Sequence, residues 1–377
     1  MVLLILFSAV SVVPGLNVQQ EPAPAADRLP VQPDMPCSAV VTPEPYTVPL
    51  SDAQENRAQA VYKKSIVITA HDHCFHPDDF RDQERAGITV RTIKLTTDGI
   101  YWQDAARHKI ESEVDGWMER GQMAIEILRK NIAAAGGKAV VVRSVDDIRR
   151  AKQQGQQGVI ISFEGGRPLQ GKLENLKNFY EKGLRDMQLF WAVSSPLKTR
   201  DNRFSDFGLQ VIQEMNRLGI VADFSHLRAP AFDQAISTTR DPIVVSHCAV
   251  KAVSGADASG GTDHLNDDTI RAIAKNGGVI CLHFYQGYIR PHRSTRSSVE
   301  DLADHADYIR QLVGIDHVAL GVDFFPEKGA PWIRGAEQMG GMINVARELV
   351  RRGYTDAEIE KVLGGNLMRV YERVWKR

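Results

Sequence analysis

Beyond residue 64 the chain alternates between two hydropathy patterns. Short apolar runs rich in β-branched residues recur: "SIVITA", "GITVRTIKLTT", "KAVVVRS", "GVIISF", "DMQLFW", "GIVADFS", "PIVVS", "GVICLHF" and "HVALGVDF". They read as strands buried on both faces. Between them, apolar residues recur at three- and four-residue spacing, as in "VDGWMERGQMAIEILRKNIAAAGG", "LENLKNFYEKG", "FGLQVIQEMNRLG", "DDTIRAIAKNGG" and "VEDLADHADYIRQLVG". These predict amphipathic helices, most of them closing on Gly. Such alternation predicts a parallel sheet covered by helices. Nine runs are one too many for an eightfold barrel. "KAVVVRS" lacks a polar tip and runs straight into the helix "VDDIRRAKQQ", so it reads as an insertion within the second strand-to-strand connection. The remainder predicts a (β/α)8 TIM barrel over residues 61–377. A doubly wound open sheet would want a Gly-rich phosphate loop after its first strand, and here that strand is followed by histidines.

The first 60 residues change the picture only at the edge. Residues 1–20, "MVLLILFSAVSVVPGLNVQQ", have the apolar run and Pro-Gly of a signal peptide, although no Lys or Arg precedes the run. Residues 21–60 begin as a Pro/Ala-rich linker. Export to the periplasm or the exterior is the expectation, with no lipid anchor, because Cys37 lies far behind the apolar run. Net charge is −1, which gives no nucleic-acid footprint. No interior stretch has the 18 or so uninterrupted apolar residues of a membrane span, so no stable membrane insertion is expected after processing. A homodimer is compatible with the chain. The four cysteines do not form a disulfide framework by spacing. Their positions predict buried thiols, and there is no CxxC zinc pattern.

In such barrels the chemistry sits at the C-terminal ends of the strands. The tips carry His71-Asp72-His73, Glu164-Gly165-Gly166, Ser225-His226, Ser246-His247, His283 and Asp323. A lone histidine at one tip would be structural; histidines or carboxylates at so many tips point to a metal site. Residues i and i+2 of a strand face the same way, so His71 and His73 both face the mouth and Asp72 packs away from it. Imidazoles and carboxylates bind Zn²⁺ or a similar divalent ion. The two oxygens of Glu164 suit a bridge between two ions, His226 and His247 complete the second site, and Asp323 is left as a base toward the attacking water.

The blocks "FEGG", "FGLQVIQEMNRLGIVADFSH", "PIVVSHCAV", "NDDTIRAIAKNGGVICLHFY", "HVALGVDF" and "YTDAEIEKVLGGNLMRVYERV" resemble the membrane (renal) dipeptidase family of the metal-dependent amidohydrolases. The resemblance implies zinc-dependent hydrolysis of short peptides with two ions per chain. In it Glu164 bridges the metals, His226 and His247 hold one, and Asp323 handles the proton. Three departures from the family pattern stand out. His71-x-His73 replaces His-x-Asp, and Trp191 replaces a histidine that faces the scissile carbonyl. The stretch "GGTDHLNDD" puts Asp263 or His264 near the place of an arginine that clamps the substrate carboxylate. At strand 7, His283 stands where the family carries an asparagine, and is expected beside Asp323 as a second catalytic group. Trp191, Asp263, His264 and Tyr285 are the expected substrate contacts.

Other polar residues are set aside. His76 reads as a helix cap, and His108, His305 and His317 as structural. Tyr101 and Trp102 either line a pocket or pack the rim, and Lys198, Arg200 and Arg203 lie on a solvated loop. Two further functions stay open: a hydrolase of another carbonyl substrate, such as an N-acyl amino acid or a lactone, and a metal-retaining binding protein without catalysis.

Overall fold

The computed structural model describes residues 36–40, 45–96, 116–191, 195–256, 263–326 and 330–375. Ten strands are present among them: β1 (Ile68–Asp72), β2 (Val90–Thr96), β3 (Ala139–Val141), β4 (Gln157–Glu164), β5 (Leu184–Gln188), β6 (Val221–Asp223), β7 (Val244–Val250), β8 (His264–Leu265), β9 (Val279–His283) and β10 (Val318–Phe324). All pairings between these strands are parallel. The path β2-β1-β10-β9-β7-β6-β5-β4 closes on itself because β2 also pairs with β4. The result is an eight-stranded barrel with helices outside. "KAVVVRS" supplies β3, which pairs with β4 at residues 157–159, whereas β5 joins β4 only from Ile161 onward. The insertion therefore occupies an edge that the barrel leaves free.

Alternation along the strands divides the apolar residues into two sets. In β9, Ile280 and Leu282 pack outward against the helices, while Val279 and Cys281 belong to an inner cluster with Ile68, Ala70, Val90, Ile160, Val221, Val244 and Ala319. Helix Asn366–Val374 contributes Leu367, Met368, Val370, Tyr371 and Val374 to that inner cluster and so closes the floor of the barrel. Helix Asp206–Leu218 shows how local signals set the boundaries. Ser205 caps its start, and Gly219 ends it with φ 78°, the left-handed conformation that glycine adopts without a Cβ penalty. A Cβ on Gly219 would lie 2.8 Å from the carbonyl oxygen of Val374, so the same glycine lets the floor helix dock.

The described residues of the N-terminal arm pack against the barrel. Helix Asp52–Lys64 crosses residue 60 and is tied to the C-terminal helices by Arg57–Asp356, Lys64–Glu360 and Glu55–Arg347. The expectation of buried thiols holds for Cys248 and Cys281 and fails for the other two, because Cys37 and Cys74 form a disulfide. The arm folds back over helix Pro77–Arg85, where the Cys37 amide donates to Asp79 Oδ1 at 2.8 Å, and this brings Cys37 to the tip of β1. Among the described residues no helix is long and apolar enough to cross a membrane.

Candidate metal centre

Six side chains from five strand ends meet at the barrel mouth: His71, His73, Glu164, His226, His247 and Asp323. Their potential ligand atoms fall into three sets, each lying within 4.8 Å: His71/His73/Glu164, Glu164/His226/His247 and His71/His247/Asp323. Glu164 is shared by the first two, as a bridging carboxylate requires. Its Oε1 lies 3.7 Å from His71 Nε2, and its Oε2 lies 3.7 Å from His73 Nε2. Asp323 joins the third set, with its Oδ1 3.5 Å from His71 Nε2.

Strand irregularities aim these groups. Ala70 faces the inner cluster, so unbroken alternation would send Asp72 to the mouth and His71 into the wall. Relative to β2, an extra residue of β1 between Thr69 and Asp72 reverses this. Asp72 instead accepts the Cys74 amide at 2.8 Å and pairs with buried Arg91 at 3.1 Å outside the mouth. In β10 an extra residue, Gly321, separates the pairs Leu320–Leu282 and Val322–His283. A Cβ on Gly321 would meet the Ser246 carbonyl oxygen at 2.3 Å. Val322, Asp323 and His226 all have positive φ, at 73°, 66° and 62°. For non-glycine residues, and a β-branched one above all, this is strained backbone concentrated at the site.

The far nitrogen of each histidine fixes which nitrogen faces the centre. His73 Nδ1 donates to the Lys94 carbonyl at 2.9 Å and His226 Nδ1 donates to Asp263 Oδ1 at 2.8 Å. His71 Nδ1 and His247 Nδ1 both contact Ser246 Oγ, at 2.9 and 3.1 Å. All four therefore point Nε2 inward. His283 is the opposite tautomer: its Nδ1 accepts the Tyr285 amide at 3.0 Å, which leaves Nε2–H to donate to Asp323 Oδ2 at 3.1 Å. His283 is a partner of Asp323 rather than a metal ligand, as its shared face with Cys281 predicts.

This arrangement crowds acceptors together. His71 Nε2 and His73 Nε2 are 3.1 Å apart, and His226 Nε2 and His247 Nε2 are 2.9 Å apart. Asp323 Oδ1 lies 3.5 and 3.2 Å from the first pair and is buried without a hydrogen-bond partner. Lone pairs so arranged repel unless a cation lies between them, so the donor set fits divalent ions. Burial pushes the His71 pKa well below its usual value and that of His247 down to about 3, which keeps both neutral and able to ligate. For Asp323 burial acts upward, but His71, His283 and His73 outweigh it and hold the carboxyl well below the usual range. His226 is also opposed by burial, yet Asp263 raises it, so without metal a proton on His226 can bridge to His247.

The expected substrate contacts are placed differently. Asp263 is committed to His226 and lies 3.5 Å from Arg228, so it positions a ligand rather than facing open space. His264 Nε2 donates to the Tyr288 carbonyl at 3.1 Å, and its ring stacks on Tyr288. Tyr285 is half-buried against Phe325 and Trp332. Trp191 is half-buried just beyond β5. His76 caps helix Pro77–Arg85 as expected. His305 accepts the Val250 amide and donates to the Ile289 carbonyl, and His317 donates to Gly278. His108, Tyr101 and Trp102 lie outside the described residues.

Sequence reasoning missed four features. Gln188 Nε2 lies 3.4 Å from Glu164 Oε1. The Tyr288 ring lies 4.2 Å from that of His283. Arg228 brings a half-exposed cation to the mouth two residues after His226. The fourth is a buried ionic core below the histidines, in which Lys94 bonds Asp186 at 2.5 Å and Asp223 at 2.7 Å. A lysine and two aspartates inside strand runs were the available signal for this core, since buried charges must pair.

The family model for membrane dipeptidase (peptidase family M19) matches residues 56–376, and the chain belongs to this family. Dipeptidase 3 from Rattus norvegicus is 28% identical over 261 residues, covering 66% of this chain and 51% of the relative. The chain thus spans about half the length of that relative. The barrel superposes on a crystal structure of an amidohydrolase from Pseudomonas aeruginosa with a TM-score of 0.72 at 22% identity, covering 85% of this chain and 99% of that one. It likewise matches a Rhodobacter sphaeroides metallo peptidase, liganded with a phosphinate mimic of the dipeptide L-Ala-D-Ala. That TM-score is 0.69 at 21% identity, covering 82% of this chain and 100% of the other.

Proposed function

We propose that this chain is a two-metal hydrolase of dipeptides or closely related small amides, with zinc as the ion. The observation that carries the reading is the convergence of four inward Nε2 atoms with the carboxylates of Glu164 and Asp323, in sets whose ligand atoms lie within 4.8 Å, around a buried Asp323 Oδ1 that has no hydrogen-bond donor. His71 and His73 would hold one ion, His226 and His247 the other, and Glu164 both. When bound, such ions polarise a carbonyl and lower the pKa of water. Asp323 Oδ1 accepts the proton from the attacking water, and His283 Nε2–H on Oδ2 keeps that carboxylate oriented. Family membership and the dipeptidase relatives support the substrate class. Export is part of the proposal. The Cys37–Cys74 disulfide supports it, because such bonds persist in oxidising compartments, and N-terminal sequencing of protein from the native host tests it.

A metal analysis coupled to dipeptide assays tests the activity. About two ions per chain and chelator-sensitive turnover are expected, with Glu164→Ala losing at least one ion. Dipeptide turnover that survives full chelation would overturn the reading. A second reading, hydrolysis of an N-acyl amino acid or lactone, is favoured by Trp191 in place of a histidine and by the engagement of Asp263 with His226. Assaying both substrate classes side by side separates the two.

A further inference from the structure

Two of the metal-facing histidines share a single hydroxyl. His71 Nδ1 and His247 Nδ1 lie 2.9 and 3.1 Å from Ser246 Oγ, and Ser225 Oγ lies 3.1 Å from it. That hydroxyl has three neighbours and one hydrogen. Ser225 Oγ accepts the Ser246 amide at 2.9 Å and spends its own hydrogen on Asp223 Oδ1 at 2.7 Å. Asp223 Oδ1 also accepts the amides of Ser225 and Ser246, at 2.9 and 3.1 Å, while Oδ2 accepts Lys94 Nζ. Lys94 Nζ on Oδ2, together with the three donors on Oδ1, keeps the carboxylate ionised, an acceptor only. Every member of this chain is buried.

The hydrogens then have one arrangement that leaves no contact empty. The Ser225 hydrogen goes to Asp223, and the Ser246 hydrogen must go to Ser225. The two remaining lone pairs of Ser246 Oγ can be served only by N–H donors, one from His71 and one from His247. Both imidazoles are thereby held as Nδ1–H tautomers with Nε2 free. We propose that Ser246 is a positioning residue that couples the two metal sites: one hydroxyl, oriented by the buried Lys94–Asp223 pair through Ser225, sets the tautomer of one ligand from each site. This rests on the two-metal reading above. The other two ligands are locked separately, His73 by the Lys94 carbonyl and His226 by Asp263. Among the described residues, Ser246 is thus the hydroxyl bonded to one histidine of each site.

The test is Zn²⁺ affinity, by chelator competition, of wild type, Ser246→Ala, Ser246→Thr and Asp263→Asn, with metal-free melting temperatures as the folding control. Loss of an orienting partner of a ligating histidine typically costs about 10–100-fold in metal affinity. Ser246→Ala should weaken both ions by about that factor, Ser246→Thr should restore them, and Asp263→Asn should weaken one. Wild-type affinity in folded Ser246→Ala, or weakening of one ion only, would overturn the proposal. The ¹⁵N shifts of His71 and His247 in the wild-type protein keep it falsifiable if Ser246→Ala does not fold. Nδ1 must carry the hydrogen on both rings, and a ring with hydrogen on Nε2 would refute it. If wild type binds no Zn²⁺, the two-metal function fails, and the same shifts on metal-free protein still decide the tautomers.

Discussion

Asp323 holds its carboxylate in the mouth at the expense of backbone comfort: it and Val322 both lie in left-handed space, on a strand that gains Gly321 to reach there. Residues persist in such conformations where the surroundings over-determine them. Here the determinants are the His283 bond to Oδ2 and the cluster around Oδ1. Asp323→Asn preserves shape but removes the proton acceptor, so turnover should fall by about 10²–10⁴-fold while bound metal is retained. Steady-state kinetics with metal analysis checks this, and near-normal turnover would leave the reaction without its base. His283→Asn should lower kcat more than it raises KM, because His283 touches Asp323 and not the ligand atoms. At this scale the sequence was legible for each inward-facing group, since histidines and carboxylates at strand ends have few other uses. The second tier was not. Ser225 and Ser246 stand in plain view before His226 and His247, but a serine's role depends on the neighbour that takes its hydrogen, and for Ser246 that neighbour is Ser225, at the end of another strand.

At the scale of elements, strand identity was readable because parallel barrel strands are buried on both faces and so appear as continuous β-branched runs. "KAVVVRS" could be set aside because it lacked a polar tip, and β3 pairs only along the start of β4. Within β1, strict alternation cannot explain His71, because the register shift is a tertiary feature with no local signature. The arm was less legible still. Nothing near Cys37 announces that it docks on helix Pro77–Arg85 through Asp79. The disulfide closes a loop with a sequence separation of 37, which in the chain-entropy view stabilises the fold by about 4 kcal/mol. The Cys37→Ser/Cys74→Ser variant should lose stability of that order in denaturant titrations, and the wild type should lose it on reduction. An unchanged midpoint in both would mean that the arm is already held by its other contacts.

For the molecule as a whole, stability should depend on pH through Asp79. Burial, only partly opposed by Arg91, raises its carboxyl from 3.8 to about 7. A folded-state value above the unfolded one means that the folded protein binds the proton more tightly. The stabilisation is then complete below about pH 4 and is lost as the pH rises through about 7. Thermal unfolding of Asp79→Asn should show a flatter slope than wild type between these limits, whatever its absolute melting temperature; parallel slopes would assign the dependence to other groups. The floor helix has a consequence of another kind, for synthesis. Asn366–Val374 follows every barrel strand in the chain, and the closing pair β1–β10 joins segments far apart in sequence. While the polypeptide emerges, the apolar lining of the lumen has nothing to rest on, and exposed strand edges invite association with other chains. The ligands from His71 to Asp323 are all made before the plug that lets them take their places. The six groups at the mouth can therefore take their final places only once the floor helix has been made.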